Sequence, residues 1–107
     1  MTKGEEHIAA ARTIAQALGE TLAGQDAPLA LRYRTLVTAF DQMAGHFFVK
    51  SALSVTFTAA VRRAAEAARE GHAATGVAGA LDAIAPFEAA VVKLQGKTTG
   101  SGGVVIT

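Results

Sequence analysis

Apolar residues recur at alternating spacings of three and four through the first half of the chain. Because an α-helix completes a turn in 3.6 residues, such spacing places a whole run on one side of a helix. The first run is Ile8, Ala11, Ala15, Leu18 and Leu22, and the second is Leu29, Tyr33, Leu36, Phe40 and Met43. The pattern therefore predicts two consecutive amphipathic helices.

Residues typical of helix ends surround both runs. Thr2 and Glu5 have the spacing of a capping box, and Gly24 is a suitable stop for the first helix. Asp26 can cap a second helix that has Pro28 in its first turn. Because the predicted connection is short, we expect residues 3–44 to form an antiparallel α-hairpin.

The middle of the chain fits two structures. Residues 53–58 alternate between apolar and polar, which is typical of a strand. The same segment also continues into residues with helical spacing, and Ser51 or Ser54 could cap a helix that runs to Gly71. We favour the helix, because the residues that follow are strong helix formers.

Glycine and proline suggest further helix boundaries after this segment. Gly71 and the following histidine predict a break, and a short helix over about residues 75–84 is expected next. Pro86 is expected to end that helix and to open another, which Gly96 would stop. The sequence thus predicts an all-α bundle of four to five helices built on the N-terminal hairpin.

The last twelve residues have a different composition from the rest. Residues 96–103 are rich in Gly, Ser and Thr, and the β-branched residues Val104, Val105 and Ile106 follow them. We therefore divide the chain into a helical domain, 1–95, and an extended tail, 96–107. The alternative is an α+β fold in which a strand at 53–58 pairs with residues 104–107.

The charge pattern and the hydropathy pattern argue against several classes of protein. Ten basic and nine acidic residues give a net charge of +1, so nucleic acid is not the expected partner. Residues 51–61 form the longest uncharged stretch in the middle segment, which is shorter than the roughly 18 residues of a membrane span. The first twenty residues interleave charges with apolar residues, unlike a signal peptide. The expected location is the cytoplasm or an assembled particle.

No residue pattern predicts catalysis or a bound cofactor. The chain has no cysteine, which excludes thiolate chemistry and disulfides. Residues 96–98 resemble the end of a phosphate-binding loop, but they follow a helix and the first glycine of that motif is missing. His7, His46 and His72 are not spaced to share a metal ion. We therefore assign no catalytic, cofactor or metal residue and expect a protein that is not an enzyme.

Two other functions remain as alternatives. Residues 58–81 could form a DNA-binding helix-turn-helix with Gly71 in the turn, although Glu66 and Glu70 would then face inward at a cost. Its possible nucleic-acid contacts are Arg62, Arg63 and Arg69. A helical small-molecule-binding protein or enzyme could instead have a pocket near Phe47, Phe48 and Phe57.

The function expected first is that of a structural or interaction subunit. Half of the residues are hydrophobic but only 6% are aromatic, so alanine-rich helices bury little area each and association would add burial. We expect a homo-oligomer or a subunit of a larger assembly, for example a phage particle or another bacterial complex. In it, Val104, Val105 and Ile106 would contact a neighbouring chain.

Overall fold

The computed structural model describes residues 1–99, which contain five α-helices and one 3₁₀ turn. The helices are α1 (Lys3–Leu22), α2 (Ala27–Met43), α3 (Phe47–Lys50), α4 (Val55–Thr75) and α5 (Val77–Thr98), with the 3₁₀ turn at Ala52–Ser54. The predicted all-α bundle is therefore confirmed. None of these helices combines the length and apolar character that crossing a bilayer requires.

The N-terminal α-hairpin forms as its caps predict. The Thr2 hydroxyl accepts a hydrogen bond from the Glu5 amide at 3.2 Å, and the Glu5 carboxylate accepts one from the Thr2 amide at 2.9 Å. The carboxylate also accepts a hydrogen bond from the Thr2 hydroxyl at 3.0 Å, and the two bonds that it accepts lower the pKa of Glu5. The Asp26 carboxylate accepts a hydrogen bond from the Leu29 amide at 3.1 Å and starts α2. The connection between the helices is short and is closed by hydrogen bonds from the Gln25 and Asp26 amides to the Leu22 carbonyl, so α1 and α2 pack as antiparallel neighbours.

The four long helices enclose one core. Each packs along two others, with α1 between α2 and α4, and α5 between α4 and α2. Tyr33, Phe40 and Phe87 are completely buried at its centre. The Phe87 ring lies 6.2 Å from that of Tyr33 and 6.0 Å from that of Phe40, centroid to centroid. These contacts join α2 to α5 and fix which side of α5 faces inward.

The connection from α2 to α4 crosses one end of the bundle, and it contains no strand. Leu53 and Ser54 lie in the 3₁₀ turn and residues 55–58 belong to α4, so the alternative strand at 53–58 is wrong. Thr58 is buried and its hydroxyl donates to the Ser54 carbonyl at 2.9 Å, which allows a polar residue on the helix's inner side. The alternating pattern therefore reflects a helix start with buried hydroxyl groups.

The predicted helix break at Gly71 is wrong, because α4 continues to Thr75. The turn lies at Gly76, whose φ of 68° is accessible mainly to glycine. Gly71 is instead a packing residue. A Cβ added there would lie 2.8 Å from the Gly79 carbonyl oxygen, and one added at Gly79 would overlap the Gly71 carbonyl. The backbones of α4 and α5 touch at this point.

The predicted division at Pro86 is also wrong, since α5 is continuous through it. Pro86 has no amide hydrogen to donate to the carbonyl of Asp82, but both residues are exposed and water can bind that carbonyl. Gly96 does not stop the helix either. As α5 ends at Thr98, it includes the first three residues that the sequence assigns to the tail.

Candidate protein-interaction surface

The side of α5 that faces away from the bundle is apolar along its whole length. We call this side the α5 outer face. It consists of Ala78, Leu81, Ala85, Ala89, Val92 and Gly96, all of which are exposed. Leu81 and Val92 are its large residues, with 48% and 62% of their surface accessible. The spacing of three and four recurs here, so α5 has one apolar side in the core and another in solvent.

The inner side of α5 explains why the outer face points outward. Ile84, Phe87, Val91 and Leu94 are buried, and they hold the helix in one rotation about its axis. Residues half a turn away from them must face solvent. Leu81 and Val92 keep 48% and 62% of their surface accessible, so a large part of their apolar area is not buried by the fold of the single chain.

Charged residues line one edge of the α5 outer face. Asp82 and Lys93 are eleven residues apart, which is close to three helical turns, so they lie on the same edge. Lys93 also lines the groove between α4 and α5, beside Phe57 and Pro86, which identifies the edge as the α4 side. Within residues 1–99, neither Asp82 nor Lys93 forms an ion pair. Both charges are available to a partner.

On the opposite edge of the face, the α2 side, the charge of Glu88 is neutralised by a residue of the same chain. The Arg32 Nε donates to Glu88 at 3.0 Å, which links α2 to α5 across their groove. This hydrogen bond raises the pKa of Arg32. Within the described residues, the two edges of the α5 outer face therefore differ: the α2 side carries a charge that is paired, and the α4 side carries two charges without an ion-pair partner.

The α2–α4 connection exposes a second pair of large apolar residues. Phe47 is 79% exposed and stacks on the His46 ring at 4.4 Å, and Leu53 is 77% exposed. Phe48 packs edge-on against Phe57 at 6.0 Å. Phe47 therefore points into solvent while Phe48 and Phe57 pack together, and the three rings do not line one pocket.

A small apolar groove lies between α1 and α2. Ile8, Phe40 and Val49 line it, and its volume of 210 Å³ is below the roughly 300 Å³ at which ligand pockets usually begin. At its rim the Arg12 Nε donates to Asp41 at 2.7 Å, and this bond lowers the pKa of the carboxyl group. Arg12 and Asp41 are engaged with each other, and the carboxylate of Glu5, which also lines the groove, is bound to Thr2.

The arginines considered for DNA contact lie on α4 among glutamates. Arg62 is 3.4 Å from Glu66 and also 3.4 Å from the His7 ring, while Arg63 and Arg69 are exposed. Since α4 does not break at Gly71, the alternative helix-turn-helix with its turn at Gly71 is wrong. Contact of Arg62, Arg63 and Arg69 with nucleic acid stays a prediction.

The histidines and acidic residues are dispersed over the bundle. Among residues 1–99, no three His, Asp or Glu side chains come together in an arrangement that could hold a metal ion. The predicted interaction residues Val104, Val105 and Ile106 lie outside the described residues. The contact with a neighbouring chain that they were expected to make stays a prediction.

No protein-family model, curated protein or solved structure matches this chain.

The α5 outer face is the surface that sequence reasoning missed. The sequence predicts two separate helices, one before and one after Pro86. Leu81 and Val92 were therefore assigned to different helices, and it was not apparent that they lie on the same side of one helix. The signal was present as the continued spacing of three and four on either side of the proline.

Proposed function

We propose that this chain is a non-catalytic subunit of a homo-oligomeric protein assembly, such as a phage particle or another bacterial complex. The observation that supports the proposal is the α5 outer face. It presents Leu81 and Val92 to solvent on a helix whose other side already forms the core. An extended apolar helix face of this kind is typical of a protein contact.

Burial of this face would supply the free energy of association. Burying an exposed Leu or Val completely contributes about 1.5–3 kcal/mol, and the partial exposure of Leu81 reduces its share. The small residues between them allow the backbone of a second helix to approach closely. Most of the free energy gained on association would come from contacts that the isolated chain does not make.

The oligomeric state in solution tests this proposal. We expect sedimentation of the purified full chain to give a mass above the 10.9 kDa of one chain, and the double variant Leu81→Gln/Val92→Gln to shift it towards the monomer. Leu31→Gln is a matched control, because Leu31 is also 62% exposed but belongs to α2. A chain that stays monomeric at every concentration, or a control that dissociates as readily, would contradict the proposal.

The tail is proposed as a second contact in the same assembly. Val104, Val105 and Ile106 would add a strand to a neighbouring chain or lie in one of its grooves. In the full chain, we expect Val105→Asp to reduce the oligomer mass by placing a charge in that contact. Lys97→Gln, which changes a charge in the last turn of α5, serves as the control. An unchanged mass distribution for Val105→Asp would remove the tail from the proposal.

A further inference from the structure

We infer that the α5 outer face binds the same face of a second copy. The two α5 helices are antiparallel, and the two-fold axis crosses them at the level of Phe87 along the helix. The inference rests on the proposed function and specifies its partner. A two-fold contact requires a surface that is complementary to itself, because a residue that meets a second residue of the other copy is met in turn by that second residue's counterpart. Both the sizes and the charges on α5 have this property.

The order of small and large residues along the face is the same from either end. From Ala78 to Gly96 the order is small, large, small, small, large, small. In an antiparallel pair centred near Phe87, Leu81 of one copy packs beside Val92 of the other, and Ala85 packs beside Ala89. One pair of large residues, Leu81 and Val92, then lies on each side of the axis. The alanines at the axis allow the two helices to approach closely.

The charges on the α4 side follow the same symmetry. When two helices pack antiparallel, equivalent edges face each other, as they do in antiparallel coiled coils. Asp82 of one copy therefore meets Lys93 of the other, and the axis generates this pair twice. Neither residue has an ion-pair partner within the described part of its own chain.

The charges also favour this orientation over a parallel one. In a parallel pair, opposite edges face each other, so Asp82 would face the edge that carries Glu88. That glutamate is already paired with Arg32. In the antiparallel pair, the two Glu88 residues lie near the axis, each neutralised by its own Arg32. Only the antiparallel arrangement uses Asp82 and Lys93 as partners.

A contact one helix wide is modest in area. A helix of 22 residues is about 33 Å long, and a single helix pair falls below the roughly 1,200–2,000 Å² of stable interfaces. We therefore expect a dimer that dissociates on dilution. Because the dimer is weak, the loss of the charge pairs should change its dissociation within a measurable range.

Charge exchange between two variants tests the inference. We expect Asp82→Lys and Lys93→Asp each to weaken self-association about tenfold, since each loses two exposed pairs and gains like charges in their place. A mixture of the two variants restores attraction at both pairs. It should dimerise within about threefold of the unsubstituted chain.

Matched controls come from the outer surface of α4. Arg63→Asp and Glu70→Lys change exposed charges of the same two signs and should leave self-association unchanged, alone or mixed. If the single Asp82 and Lys93 variants keep their helicity but the mixture does not recover, the inference is wrong. An oligomer that persists in that case leaves the proposed function standing, whereas a monomeric unsubstituted chain refutes both.

Disulfide trapping tests the register, and the absence of native cysteines makes the result unambiguous. A mixture of Ala85→Cys and Ala89→Cys chains should, on mild oxidation, form mainly cross-links between the two variants, because residue 85 faces residue 89 of the other copy. Cross-links within each variant would instead indicate a parallel pair. A dominant self-cross-link, or no cross-link at all, would overturn the antiparallel arrangement.

Discussion

At the scale of single residues, Tyr33 shows how the core handles a polar group. Its ring is completely buried, and its hydroxyl donates to the Ala80 carbonyl at 2.6 Å. Burial of the phenol penalises the charged form and raises its pKa to about 12. Since this is the one tyrosine in the chain, its ionisation can be followed by absorbance.

The raised pKa predicts a loss of stability at alkaline pH. The unfolded phenol ionises near pH 10, so the contribution of Tyr33 is complete below that pH. It declines as the pH rises from there through about 12, because the unfolded state loses its proton first. We expect phenolate absorbance to rise together with loss of helical circular dichroism. A free titration near pH 10 with the helices intact would contradict this.

The control is Tyr33→Phe, which keeps the ring and removes the hydroxyl group. We expect it to lose about 1 kcal/mol of stability at neutral pH, the usual contribution of one hydrogen bond. Its unfolding free energy should then fall less steeply above pH 10 than that of the unsubstituted chain. Equal slopes would assign the alkaline loss to other groups.

At the scale of elements, the sequence predicts a helix boundary correctly where contacts between residues close in the chain determine that boundary. Thr2 and Asp26 bond to backbone amides three residues away, so spacing alone predicts α1 and α2. Gly71 and Pro86 were misassigned because their effect depends on context. Gly71 contacts another helix, and Pro86 faces water. No local pattern shows either fact.

Helices α4 and α5 offer a direct test of the contact between Gly71 and Gly79. We expect Gly79→Ala to destabilise the fold by about 1–3 kcal/mol, because its methyl group would meet the Gly71 carbonyl and force the helices apart. Gly96→Ala should instead stabilise it by up to about 1 kcal/mol, since α5 is helical there and the added Cβ meets nothing. Denaturant unfolding measures both.

The pair of glycine variants also separates packing from helix propensity. If Gly79→Ala were stabilising, the close approach of α4 and α5 would be wrong. If Gly96→Ala had no effect, the helix would end before Gly96, as the sequence alone suggested.

At the scale of the whole molecule, the sequence predicts the class of fold but not the arrangement of helices. The short connection after Leu22 makes α1 and α2 neighbours, as expected. Nothing local shows that the α2–α4 connection crosses the end of the bundle, where Gly4 contacts Val49 and Ser54. That close contact starts α4 beside the start of α1. It therefore decides which surfaces of the later helices remain open, including the α5 outer face.

The same crossing determines where the chain leaves the bundle. Lys97 lies over the Phe57 ring, 5.4 Å from its centroid, so α5 finishes at the end of the molecule where α1 and α4 begin. In an antiparallel pair, the two copies of Thr99 would lie at opposite ends of the dimer. Such a dimer would present one C-terminal end of α5 at each of its two poles. If the tails bind further dimers as proposed, these contacts would build a closed ring where their rotation closes and an open chain or lattice where it does not.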